Sequence, residues 1–269
     1  VKQSDRILVF ANDSGAKGNA TIVFENVNND IDKKRIATDL MLSEVVFIEI
    51  VGKTLQLDYF TPTGRIDNCG HATIGAIFYA LKSSLVFDKV INLCGESIDY
   101  FLDDDKIFIS FNKSEYISDV KMDQSFIKYL NKSNIKIDDV IHLPKIYESG
   151  LADIIYGVNS LYALQNITLD HLSTVELSKQ NNVIGVHVFY YDIYSSKIFC
   201  RNFAPIVGIN EEFATGTSNV SLFKYLEDME LVGTYIDVLQ GTNFASGKIA
   251  VKKVNNKIFV GGKVVEEKL

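Results

Sequence analysis

Three cysteines in 269 residues are too few and too scattered to frame a fold. Cys69, Cys94 and Cys200 contain no CxxC spacing and cannot all pair. This excludes a disulfide scaffold and fits a reducing compartment. Long apolar runs are missing as well. The stretch from Ile7 to Ala11, flanked by Arg6 and Asp13, is too short for the core of a secretory signal, and nothing elsewhere reaches transmembrane length. A cytoplasmic location is the expectation. Positive charge is in deficit: the formal net charge is −7, which argues against a nucleic-acid or anionic-membrane partner. The chain has no Gly-x-Gly-x-x-Gly turn after a strand, so a nicotinamide-binding fold is unsupported. No group of His, Cys and Asp shows metal-ligand spacing, so neither a metal nor a cofactor is expected. Low-complexity tracts and blocks of like charge are also lacking.

What is present is material for a large core. Hydrophobic residues make up 47% of the chain, which excludes intrinsic disorder. β-Branched and aromatic runs predict strands at residues 7–10, 20–24, 45–51, 55–60, 90–94 and 107–111. The second half repeats them at 153–158, 183–191, 197–203 and 249–254. Asp30 is placed to cap a helix from Ile31, with Ile36, Leu40 and Met41 on its buried side. Residues 70–82 carry Ile74, Ile77, Phe78 and Leu81 at helical spacing. The other faces hold Ala72, Gly75, Ala76 and Ala80, so this helix is expected to be buried nearly all round, wrapped by strands.

Residues 60–81 (FTPTGRIDNCGHATIGAIFYAL) and 203–226 (FAPIVGINEEFATGTSNVSLFKYL) are two versions of one turn-then-helix unit. Phe60-Thr61-Pro62 corresponds to Phe203-Ala204-Pro205. With two extra residues in the second loop, Cys69 aligns with Ala214, Gly70 with Thr215 and Phe78 with Phe223. One unit per half implies an internal duplication. The expected lobes are 1–115, with 258–269 available to complete it, and 116–257. The polar stretch 116–133 is the expected connection, and the active site is expected in the cleft between lobes. Mixed hairpins around one helix per half make the fold class α+β.

Both copies bring small residues to a helix start, at Asn68-Cys69-Gly70-His71 and Ala214-Thr215-Gly216-Thr217. Free N–H groups there, with the macrodipole behind them, suit a carboxylate, and Gly70 permits close approach. Simple helix capping is the alternative on either copy alone. His71 has the side-chain pKa nearest neutrality and adjoins this cradle. His142, His171 and His187 have no such context.

These segments carry a family resemblance. Thr61-Pro62-x-Gly64-x-x-Asp67-x-Cys69-Gly70-His71-Ala72-Thr73 before an apolar helix, then Phe203-Ala204-Pro205-x-x-Gly208-x-x-Glu211-x-x-Ala214-Thr215-Gly216, resembles the PhzF family of phenazine-biosynthesis isomerases. It is more distantly similar to diaminopimelate epimerase and proline racemase. Gly18-Asn19, Leu42-Ser43-Glu44 and Leu239-Gln240-Gly241 extend the resemblance along nearly the whole chain. The resemblance implies a two-lobed diaminopimelate epimerase-like fold, each lobe a mixed sheet or barrel around a central helix. It also implies a cofactor-independent proton shift on a substrate like trans-2,3-dihydro-3-hydroxyanthranilate, performed by a homodimer. The roles it carries over are general acid/base for Glu44, assistance from His71 and Glu212, and binding of a small anionic substrate by Gly18, Asn19, Gly70, Ala72, Gly216 and Thr217.

The residues themselves fit this in part. Glu44 precedes the apolar run Val45-Val46-Phe47-Ile48, where partial desolvation would raise its pKa. A two-base racemase needs a thiol from each half. This chain offers Cys69 in the first copy and none aligned in the second, which favours a one-base shift. Three positions depart from the family pattern. The acid before Ala-Thr-Gly is Glu212 followed by Phe213, with Glu211 as a competitor; Gly18-Asn19 is followed by Ala20; and Thr217 stands for serine. Two alternatives stay open: an amino-acid racemase or epimerase using Cys69, and a non-catalytic small-molecule binding protein.

Overall fold

In the computed structural model, which describes residues 2–13, 17–111, 114–242 and 245–267, the chain divides into two compact units. They are Val1–Ser110 with Val260–Leu269, and Phe111–Phe259. The outer limits expected for the lobes, residues 1 and 269, lie outside the described residues.

In the first unit two sheets enclose one helix. One sheet has the strand order Lys2–Gln3, Val23–Glu25, Val45–Val51, Thr54–Thr61, Gly64–Ile66, with Lys89–Asn92 also paired to Thr54–Thr61. The other places Tyr100–Asp103, Lys106–Phe111, Lys257–Glu267, Arg6–Ala11 and Asn19–Thr21 side by side. Helix α1 (Asp30–Leu40) packs Ile36, Ala37 and Leu40 over Phe24, Phe47 and Phe60. Its cap is Asn29, not Asp30: the Asn29 side chain accepts the Ile31 N–H, and Asp30 starts the helix. Met41 is also not on the buried side. It is the C-cap, with φ 54° and 77% exposure, because the left-handed turn that ends the helix swings it out.

Helix α2 (Gly70–Lys82) runs over the residues read from the sequence, and strands from both sheets pack on it. Its small residues make that possible. A Cβ on Gly75 would fall 2.5 Å from Thr21 Cγ2, so only glycine lets the strand come this close.

The second unit orders its strands Glu115–Asp119, Val140–Glu148, Ala152–Val158, Gly185–Asp192, Lys197–Ala204, Tyr235–Thr242 and Ala245–Val254, with Ile209–Glu212 on Lys197–Ala204. The stretch 116–133, expected as a connection, instead forms the first of these strands and α3 (Gln124–Lys132). Phe126, Tyr129 and Leu130 repeat at helical spacing and drive α3 into a core shared with α4 (Leu161–Gln165) and α5 (His171–Asn181). Helix α6 (Gly216–Asp228) packs on the strands of this unit and is buried over most of its length.

The duplication reaches far beyond the copied segments. In the first unit Val23–Glu25 runs parallel to Val45–Val51, which pairs antiparallel with Thr54–Thr61; that strand takes Lys89–Asn92 parallel and Gly64–Ile66 antiparallel. Ala152–Val158, Gly185–Asp192, Lys197–Ala204, Tyr235–Thr242 and Ile209–Glu212 repeat every one of these pairings. Because Val45 pairs with Phe60 and Val186 with Phe203, Gly185 holds the place of Glu44.

The helices correct the sequence register by one residue. Cys69 and Thr215 are the two N-caps, each helix has 13 residues, and buried Tyr79 matches buried Tyr225. Cys69 therefore corresponds to Thr215, not Ala214, and Gly70 to Gly216. The pair Phe78 and Phe223 had suggested otherwise, but Phe78 is half-buried while Phe223 is fully buried. An ion pair is duplicated with its charges exchanged. Asp58 binds Arg65 in the first unit, and at the matching positions Arg201 binds Glu211. Each guanidinium also stacks on the equivalent phenylalanine, Arg65 on Phe60 and Arg201 on Phe203.

Candidate active site

Glu44 sits between the end of α1 and the strand Val45–Val51. Its carbonyl accepts the Thr21 hydroxyl at 3.1 Å, and the next residue but one, Val46, donates to Ile22 O, so the backbone is pinned against neighbouring chain on that side. The side chain is 23% exposed, and Oε2 lies 3.5 Å from His71 Nε2. His71 is the second residue of α2 and only 7% exposed. Burial pulls its pKa below the ordinary 6.5, while the Glu44 charge and the Ala20 backbone oppose the shift. The ring is therefore neutral at neutral pH, able to take or relay a proton.

The other ring nitrogen, Nδ1, is 3.5 Å from Cys69 Sγ. Glu44, Cys69 and His71 each offer one donor atom, all within 4.8 Å of one another. Sequence spacing had shown no metal-ligand group, yet these three types are ligands that zinc accepts. The signal was invisible in the sequence because Glu44 comes from a different element than the other two.

The Gly-Asn turn belongs to the same place. Ser43 Oγ donates to Asn19 Oδ1 at 3.4 Å, which ties residue 19 to the segment carrying Glu44. Gly18 backs onto Val9, where a Cβ would lie 2.5 Å from the carbonyl oxygen. At the start of α2, Cys69 makes no side-chain cap, and Gly70 is half-buried. Uncapped N–H groups at a helix start are available to an anion. Ala72, expected among the binding residues, is fully enclosed by the strands around α2 and has no surface to offer.

Glu212, Gly216 and Thr217 lie in the second unit, all partly exposed. Glu211 is committed to an ion pair. Both its oxygens bind Arg201, at 2.8 Å each, and Arg201 also donates to Ile167 O at 2.7 Å. Like α2, α6 starts without a side-chain cap.

One buried acid escaped the sequence reading, and Gln240 entered it only as part of the family resemblance, with no role. Asp153, 1% exposed, accepts Ser218 Oγ at 2.5 Å, and burial pushes its pKa up to about 6. Gln240, fully buried, bonds to Glu212, Thr215 and Asn219. Period-two alternation along Tyr235–Thr242 places Gln240 on the face of Ile236 and Val238, and that pattern could have located it.

Comparison with known proteins agrees with this architecture. Residues 7–267 match the family described as phenazine biosynthesis-like protein, PhzC-PhzF. An uncharacterized isomerase of Clostridium acetobutylicum is 32% identical over 225 residues, covering 78% of this chain and 74% of the relative. The crystal structure of a PhzF-family phenazine biosynthesis protein from Bacillus anthracis superposes with TM-score 0.83 at 18% identity, covering 100% of this chain and 98% of that one. A probable proline racemase from Agrobacterium radiobacter K84 shares the fold at TM-score 0.66 and 10% identity, over 99% of this chain and 91% of that chain. The two-lobed, duplicated α+β chain thus belongs to the phenazine biosynthesis-like PhzC-PhzF family.

Proposed function

We propose that this isomerase-family chain moves a proton within a small, cyclic, carboxylated substrate without a cofactor, with Glu44 as general acid/base. The observation that carries the reading is the 3.5 Å approach of the part-exposed Glu44 carboxylate to the buried, neutral His71 ring. In this reading Glu44 takes the proton from a substrate carbon, the electron pair spreads toward the substrate carboxylate, and Glu44 returns the proton to another carbon. His71 steadies Glu44 in both protonation states. The uncapped start of α2 at Gly70 and, separately, that of α6 at Gly216 and Thr217 each suit a carboxylate, and Glu212 is suited to act as a second acid.

Cys69 supports a second reading, racemisation or epimerisation. Its thiol lies 3.5 Å from His71 Nδ1 at the start of α2, within reach of an imidazole that could accept its proton. Thr215 in the matching position weighs against the two-thiol form.

A panel of cyclic and amino-acid carboxylates in deuterated water, followed by NMR, tests both. Deuterium at a new carbon with a shifted double bond supports the first reading. Exchange with inversion at the α-carbon supports the second. Thermal stabilisation by an acid without any exchange favours a binding protein and counts against both.

A further inference from the structure

The fully buried amide of Gln240 uses every hydrogen bond it can make, and all of them go to the segment that starts α6. Oε1 accepts from Thr215 N at 3.1 Å and from Asn219 Nδ2 at 2.6 Å. Nε2 donates to Glu212 O at 2.7 Å and to Thr215 Oγ1 at 2.8 Å. The orientation of the amide is forced, because the Thr215 N–H can only donate and must meet an oxygen. In the first unit Asn92 holds the matching place: Leu57 pairs with Asn92 as Cys200 pairs with Gln240. Asn92 also donates to the loop before its helix, at Asp67 O.

The bond to the Thr215 hydroxyl is the unusual one. Thr215 is the N-cap of α6 with extended dihedrals, φ −116° and ψ 104°. A threonine there ordinarily turns its hydroxyl onto the N–H of the second or third helical residue. Here the hydroxyl is drawn to Gln240 instead, and the helix has no side-chain cap.

We propose that Gln240 is a positioning residue that withholds the Thr215 hydroxyl from α6 and fixes the Glu212 backbone, so that the helix start stays open to a substrate carboxylate. The inference rests on the carboxylate reading of Gly216 and Thr217. Without the amide, Thr215 recaps its own helix and competes with the ligand. Removing the hydroxyl as well then restores the open start, which a purely structural role for Gln240 does not predict.

The test uses the full chain, labelled with nitrogen-15, and titrates 3-hydroxyanthranilate as the probe while following the Gly216 and Thr217 amides. Gln240→Met is expected to weaken binding about tenfold to a hundredfold, the worth of a charge-assisted hydrogen bond or two. The double variant Gln240→Met with Thr215→Val is expected to bind more tightly than Gln240→Met alone. Should Gln240→Met not fold, Gln240→Asn makes the same cut by drawing the amide back one methylene. Wild-type affinity in the folded Gln240 variant, or no recovery in the double variant, overturns the inference while leaving the carboxylate reading intact. If the probe leaves both amides of the wild type unmoved, the carboxylate reading itself fails and the inference goes with it.

Discussion

Thr215 stands in the second unit where Cys69 stands in the first. Each is the N-cap of a 13-residue helix, and the two carbonyls accept the same backbone bond, from Asn219 and from Thr73. In the first unit a carboxylate and an imidazole, Glu44 and His71, flank the Cys69 thiol. Replacing Cys69 by alanine therefore tests the chemistry. If Glu44 is the only base, Cys69→Ala keeps turnover within the ~100-fold that loss of a general base costs at the least. A larger loss of solvent deuterium incorporation would transfer the role to the thiol.

Glu211 and Glu212 are adjacent but differently employed. Glu211→Gln breaks the bidentate pair with buried Arg201 and should cost about 3 kcal/mol of stability. Turnover per folded molecule is expected to persist. Glu212→Gln is expected to lose about 100-fold in turnover per folded molecule. Urea melts and single-time-point NMR assays on both variants separate the two effects, and the reverse pattern would reassign the second acid.

How much of this was legible beforehand differs by element. The bounds of α2 are visible in the sequence because a run of Ile, Ala and Gly at helical spacing has only one way to be buried all round. The strand Val45–Val51 is equally plain, being apolar and β-branched. The register between the two helices was not, because one coincidental phenylalanine outweighs cap geometry that only coordinates display. Strand Val140–Glu148 hides behind alternating polar residues, and α3 looks like a linker until Phe126, Tyr129 and Leu130 are seen on one face. At the site, His71 and Glu44 were found through family motifs, while Asp153 and Gln240 are single polar residues inside apolar strands, where local sequence says nothing of their partners.

Close packing at Gly75 predicts a stability effect with no catalytic one at its source. The added methyl of Gly75→Ala meets Thr21 Cγ2 at 2.5 Å, and overpacking of this kind costs about 1–3 kcal/mol. Denaturant unfolding measures it. A variant as stable as wild type would mean that the strand Asn19–Thr21 can move away from α2 freely.

Asp153 gives the fold a pH signature. Its pKa is raised from 3.8 to about 6 by burial, so the folded chain binds a proton there more readily than the unfolded chain does. The sign follows: folding is penalised as pH rises through this window, by nothing below about pH 4 and by about 2–3 kcal/mol in full above about pH 6. Asp153→Asn removes the penalty. His187, held neutral by burial with its pKa lowered to about 3, acts in the opposite direction but equally in both proteins. The stability difference between Asp153→Asn and wild type should therefore shift in favour of the variant between pH 4.5 and 7.5, and parallel curves would contradict the assignment.

The most direct test is solvent deuterium incorporation by Glu44→Gln beside wild type, using whichever carboxylate the NMR panel identifies. The amide keeps the size of the side chain but cannot accept a proton from carbon. The expected result is unchanged ligand binding with incorporation reduced at least about 100-fold. Incorporation at the wild-type rate would show that Glu44 is not the base.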